Sequence, residues 1–283
     1  MTTNTTTDPN RALWEAQARG EQAPTWESLS AEPAGIEHEN VDVPAGLWLR
    51  PPGAATGSVV LAIHGGGFVG GSVETHRRMF GHLALAAGVP TFAVEYGLVP
   101  DQVFPSQLDT VVAAYRWLLD RGATDVAVTG DSCGATLALA VALRARDEGL
   151  SRPASLLLIS AWTDLEATGA SYDSGSDPFF TRAVVRGLAA GYLAGADPHD
   201  PLAAPLHADL RGLPPVYLQA GAEESLLDDS KRLADRLRDA GVDVRLDEFA
   251  DQVHTFQMGA GRTQVADDAI GRAGSWLRST LTP

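Results

Sequence analysis

The sequence is poor in features that define several large classes of protein. It has a single cysteine, Cys133, which rules out an internal disulfide and an all-cysteine metal site and allows a reducing compartment. Positive charge is scarce: 21 Lys and Arg stand against 36 Asp and Glu, a formal balance of −15. Such a chain repels phosphate backbones and anionic lipid, which argues against nucleic acid and membrane surfaces as partners. The densest basic cluster, Lys231, Arg232, Arg236 and Arg238, alternates with Asp228, Asp229, Asp235 and Asp239 and reads as a solvated helix face. No apolar run approaches the ~18 residues that span a bilayer. The stretch 135–143 is interrupted by Thr136 and ends at Arg144. Residues 1–9 carry neither the positive nor the apolar region of a secretion signal, so the expected location is cytoplasmic. No internal repeat is visible, which excludes solenoids and propellers.

What the chain does have is apolar content, 45% against 20% charged, enough to offset the entropy of ordering a core. Short apolar runs at 58–63, 90–95, 125–129, 154–160, 216–220 and 242–249 read as strands, with a hairpin at 40–43 and 47–49 before them. Between them lie helical patterns at 74–87, 106–121, 135–146, 226–240 and 264–279. In 106–121, Leu108, Val111, Val112, Tyr115, Leu118 and Leu119 recur on one helical face. Strands alternating with helices predict an α/β domain, a mostly parallel, doubly wound sheet covered on both faces. The alternation fails between 164 and 214, where one helical run, 181–193, sits among irregular segments. That insertion, with residues 1–35 and their Trp14 and Trp26, is expected to form a small helical cap on a single domain spanning 1–283.

Three local features fall at the ends of these strands, where open α/β sheets place their active sites. Gly130-Asp131-Ser132-Cys133-Gly134 joins a strand to a helix, with glycines two before and two after the serine to permit a tight turn that exposes its hydroxyl. His64-Gly65-Gly66-Gly67-Phe68 follows another strand, and its glycines allow backbone amides to approach a developing oxyanion. Of seven histidines, only His254 falls in the loop between the last strand and the last helix, as the order nucleophile, acid, histidine requires. For the acid, Glu223, Glu224, Asp228 and Asp229 all follow the strand at 216–220. The two aspartates open a helix, where the macrodipole suffices to explain them.

The chain resembles the hormone-sensitive lipase family of α/β-hydrolase esterases, in its compact bacterial carboxylesterase branch. The resemblance covers nearly everything from Val41 onward. It rests on His64-Gly-Gly-Gly67, Gly130-Asp-Ser-Cys-Gly134, Ala161-Trp-Thr-Asp164, Gly212-Leu-Pro-Pro215, the segment from Gly221 to Asp229, the loop around His254, and Glu95-Tyr96-Gly97-Leu98-Val99-Pro100-Asp101 with Phe104-Pro105. In this family the acid lies three residues after the strand-ending glycine, which is Glu224 here. Most members carry Asp there and a branch carries Glu. The resemblance implies a Ser132, His254, Glu224 triad, with an oxyanion hole of Gly65, Gly66 and Cys133. The substrate it implies is a small-molecule ester of short to medium acyl length, and no metal or organic cofactor is required. Phe68, Val69, Phe179, Phe180 and Tyr192 are candidate substrate contacts. Gly97, Glu95 and Ala135 depart from the usual Arg, Asp and Gly, which bears on substrate shape and stability rather than on the reacting groups.

Other readings compete. A lactone or an acetylated natural product would suit the same triad. Gly65-Gly66-Gly67-Phe68-Val69-Gly70 also satisfies the dinucleotide fingerprint, but that reading leaves the serine elbow, Glu224 and His254 as coincidences. A non-catalytic receptor on the same fold lacks the catalytic histidine that His254 supplies. Asp243, Arg245 and Asp247 alternate along the last strand, an edge where homologous esterases often form homodimers.

Overall fold

The structure is a computed structural model that describes residues 8–54 and 56–281. Eight strands form one sheet in the order β1-β2-β4-β3-β5-β6-β7-β8. They are β1 (Glu37–Asp42), β2 (Ala45–Arg50), β3 (Ser58–Ile63), β4 (Thr91–Val94), β5 (Asp125–Asp131), β6 (Leu156–Ile159), β7 (Val216–Gly221) and β8 (Val244–Phe249). The first two form the expected hairpin, and β2 runs antiparallel to β4. Every pairing from β4 to β8 is parallel. The chain winds from β3 outward to β4, then returns to the other side of β3 to form β5. This reversal opens a crevice at the carboxyl ends of β3 and β5, where the two glycine motifs lie.

The helices are α1 (Pro9–Ala18), α2 (Trp26–Leu29), α3 (Val73–Ala87), α4 (Ser106–Asp120), α5 (Cys133–Asp147), α6 (Arg182–Leu193), α7 (Leu227–Asp239) and α8 (Gln264–Thr280). Strand periodicity separates two cores. In β6, Leu157 and Ile159 join Leu83 and Ala87 of α3 and Ala273 and Leu277 of α8, while Leu156 and Leu158 join residues of α4, α5 and α7. The Leu108, Val111, Val112, Tyr115 and Leu118 stripe is buried as its spacing predicts, with Leu119 only partly buried.

Element boundaries differ from the expected ones by a few residues. The largest functional difference is that β5 runs through Asp131 and α5 begins at Cys133, so Ser132 alone makes the turn. The segments assigned to the cap hold α1, α2 and α6, and they meet through Trp14, which stacks on Phe179 at 5.5 Å and meets Phe180 edge-on at 4.9 Å. The first seven residues assigned to it lie outside the described residues.

Candidate active site

Ser132 has φ 55° and ψ −120°, a left-handed conformation that a non-glycine residue holds only when its surroundings impose it. The surroundings are close-packed backbone. A Cβ on Gly130 would meet the Gly134 carbonyl at 2.3 Å, and one on Gly134 would meet the Ile63 carbonyl at 2.2 Å. Both glycines are therefore required, and the turn delivers Ser132 to the crevice while Cys133 opens α5. The Cys133 thiol is fully buried, and burial pushes it up to about 12, so its side chain is an inert filler.

His254 and Glu224 reach the same place from the last two βα loops. His254 Nδ1 lies 3.2 Å from Glu224 Oε2, with both side chains almost completely buried. Burial pushes the Glu224 carboxyl up, and the hydrogen bond with His254 opposes it. The other three carboxylates of that segment are engaged elsewhere. Glu223 pairs with Arg11. Asp228 accepts the Ser171 amide at 2.9 Å, and Asp229 accepts the Thr163 and Asp164 amides, each at 2.9 Å. The register that singled out Glu224 thus coincides with the one carboxylate facing the histidine.

The His254 loop is held from the cap. The Trp14 indole N–H donates to the His254 carbonyl at 3.0 Å, Asn10 Nδ2 to the Phe256 carbonyl at 2.9 Å, and the Ser30 hydroxyl to the Met258 carbonyl at 2.5 Å. The N-terminal helices thus position the candidate base as well as roofing the site.

The glycine loop after β3 requires a correction. The Gly65 N–H donates to Asp131 Oδ1 at 3.0 Å and so is already committed, and Gly65 does not line the cavity. Gly66 and Gly67 line it, at φ 121° and 61°, values that a side chain would strain. Within the loop the candidate donors are therefore Gly66 and Gly67, and the expected Cys133 amide lies at the start of α5, next to Ser132. Asp131 also lies 3.3 Å from His76 Nε2; burial pushes its carboxyl up, but the histidines around it, His76 foremost, outweigh that and hold it below its usual range. A carboxylate on the first amide of the loop repels phosphate, contrary to the dinucleotide reading. His64 is structural: its ring stacks on Tyr96 with centroids 4.1 Å apart, and Tyr96 donates its hydroxyl to the His64 carbonyl.

A cavity of about 180 Å³ opens on Ser132 and His254. Of the expected substrate contacts, Val69, Phe179 and Phe180 line it. Phe68 and Tyr192 do not: both are fully buried and stack on each other at 3.6 Å, which makes them core residues beneath the site. Trp14, Trp26, Val184, Leu188 and Met258 complete the apolar wall, with the polar Gln17 among them. The sequence placed Trp14 and Trp26 in the cap but not in the cavity; Leu188 and Val184 carried no signal beyond the helical run. A tight recess of about 10 Å³ shares Ser132, Gly67, Phe180 and Leu188 with the cavity and is closed by Trp162, Val185 and Leu226.

A serine on a strained turn, a buried histidine and carboxylate, and backbone amides facing one cavity are the equipment of a serine hydrolase. Residues 60–258 match a family described as alpha/beta hydrolase fold, and the chain belongs to it. Within that class it is similar to an acetyl-hydrolase of Streptomyces hygroscopicus, 39% identical over 236 residues that cover 82% of this chain and 79% of that one. It superposes on an esterase from the bacterial hormone-sensitive lipase family with a TM-score of 0.91 at 37% identity, covering 97% of this chain and 98% of the other. EstE5, crystals of which were soaked with p-nitrophenyl butyrate, gives a TM-score of 0.88 at 34% identity, with 97% and 99% covered. The resemblance read from the motifs is therefore borne out.

Proposed function

We infer that the protein is a carboxylic ester hydrolase in which Ser132 attacks the ester carbonyl while His254 takes its proton. The relatives named as acetyl-hydrolase and esterase support the class of reaction, and the observation that carries the assignment of residues is the buried His254–Glu224 pair opening on the same cavity as Ser132. In the first half-reaction the Ser132 oxygen bonds to the carbonyl carbon and negative charge passes to the carbonyl oxygen. The amides of Gly66, Gly67 and Cys133 receive it, each donor contributing about 10²–10³ in rate. His254 then returns the proton to the leaving alcohol, and water releases the acid from the acyl-enzyme by the same steps in reverse order. Glu224 fixes the imidazole tautomer and balances the imidazolium.

The cavity at Ser132 is about 180 Å³ with a largely apolar wall, so the fitting substrate is a small ester with an apolar part. The catalytic unit is the single domain with its two-part cap. No described helix is long and apolar enough to cross a membrane, and a single, unpaired cysteine suits a reducing, cytoplasmic location. β8 forms an open sheet edge where a second copy would pair; size-exclusion chromatography with light scattering reads that homodimer directly.

The test is a panel of p-nitrophenyl esters from acetate to palmitate on wild type and Ser132→Ala. Short esters should turn over and long ones should not, with no turnover above background in the variant. Turnover that survives in Ser132→Ala overturns the assignment.

A further inference from the structure

The insertion between β6 and β7 holds a group of side chains that the ester chemistry does not use. Glu166 lies in the loop after β6, His199 beyond the end of α6, and His207 at the end of the 3-10 turn Pro205–His207. Each offers one ligand atom, and the three atoms lie within 4.8 Å of one another. His199 Nε2 is 2.8 Å from Glu166 Oε2, and the two imidazole centroids are 4.7 Å apart.

An ion pair between His199 and Glu166 accounts for two members of the group but not for the third. Two imidazoles and a carboxylate are instead the donor set that zinc and its neighbours prefer. Metal bonds of about 2.0–2.2 Å draw such donors together, so the observed spacing requires only side-chain rotation. The surroundings also fit. A metal-bound imidazole commonly gives its other ring N–H to a carboxylate, and His199 Nδ1 faces Asp197 Oδ1 at 3.4 Å. Two cations stand near the group: Arg186 donates to the Glu166 backbone carbonyl, and Arg236, beside His207, donates to the Ala208 carbonyl, so both are engaged by main chain.

We propose that Glu166, His199 and His207 form a binding site for a divalent transition-metal ion of the zinc class, with water completing the coordination. The site ties the start of the insertion to its end. Between these points α6 supplies Val184 and Leu188 to the active cavity, so occupancy stiffens the cap without taking part in ester cleavage.

The test is calorimetric titration of zinc chloride into the full-length protein after EDTA treatment and removal of the chelator, with melting curves alongside. One ion should bind per chain with micromolar affinity. The melting temperature should rise on the order of 5 °C at a hundredfold excess over Kd. His199→Ala and His207→Ala, both at exposed positions, should fold as wild type does and lose at least about tenfold in affinity. His38→Ala, which alters an exposed histidine on β1, should bind as wild type does. Absence of saturable zinc binding below about 1 mM overturns the proposal. So does unchanged affinity in both His199→Ala and His207→Ala.

Discussion

Glu224→Gln separates a catalytic carboxylate from a merely well-packed one. Glu224 Oε2 lies 3.2 Å from His254 Nδ1, and both side chains are about 1% exposed. At that distance a carboxylate and an imidazolium attract by about 5 kcal/mol with an effective dielectric near 20. The attraction exists only after His254 has taken the serine proton, so it lowers the barrier rather than the ground state. Losing most of it reduces kcat by roughly 10³–10⁴, whereas losing one neutral hydrogen bond of about 1 kcal/mol costs only about fivefold. The amide also presents N–H to Nδ1 in one of its two orientations and so favours the wrong tautomer. Stability should move the other way: burial raises the Glu224 carboxyl, meaning that the fold disfavours its ionised form, and a neutral isostere relieves that cost. Initial rates on p-nitrophenyl acetate, with melting curves, read both effects. Asp228→Asn, which alters the carboxylate bonded to Ser171, should stay within about threefold of wild type. Activity of Glu224→Gln within tenfold of wild type, or an equal loss in Asp228→Asn, refutes the reasoning.

Three further outcomes follow from neighbouring groups. Trp14→Phe keeps an aromatic ring against Phe179 and Phe180 but removes the indole donor to the His254 carbonyl. Because the Thr255 hydroxyl also donates to that carbonyl at 2.8 Å, kcat should fall only about three- to tenfold with KM little changed; a loss beyond a hundredfold contradicts this. Asp229 is buried and raised to about 7 by desolvation, which its amide and Tyr172 donors only partly offset. The native state therefore holds a proton that the unfolded chain releases near 3.8. Its contribution to stability is present at low pH and is lost as pH rises from about 4 to 7, on the order of 4 kcal/mol at most. Chemical denaturation across that range should show a shallower fall in Asp229→Asn than in wild type. Cys133 should resist thiol reagents at pH 8 in the native state, and Cys133→Ala should retain activity within about threefold, since the buried thiol takes no part in the proposed chemistry. Rapid native-state labelling contradicts the burial.

Most of the sheet and the candidate site was legible because each left a local pattern. Short apolar runs marked the strands and a 3.6-residue period the helices, and Gly130 and Gly134 are demanded by close backbone contacts around the turn and β3. What escaped depends on how distant segments meet. Which glycine amides face the cavity is set by the backbone angles of Gly66 and Gly67 and by Asp131, which captures the Gly65 amide across 66 residues. Phe68 and Tyr192 look like pocket aromatics in sequence, yet their face-to-face stack turns both inward. Trp14 shows no motif at all, and its hold on His254 spans 240 residues. The same holds for Glu166, His199 and His207, which look unrelated until the insertion folds.

The central claim is that Ser132 is the nucleophile of an acyl-enzyme pathway. Intact-mass and peptide mapping after treatment with a p-nitrophenyl alkylphosphonate test it most directly. One phosphonyl group per chain is expected on the peptide containing Ser132, with loss of activity in step, and no adduct in Ser132→Ala or after unfolding. Labelling at any other residue that accompanies inactivation, or full activity in a chain labelled at Ser132, contradicts it.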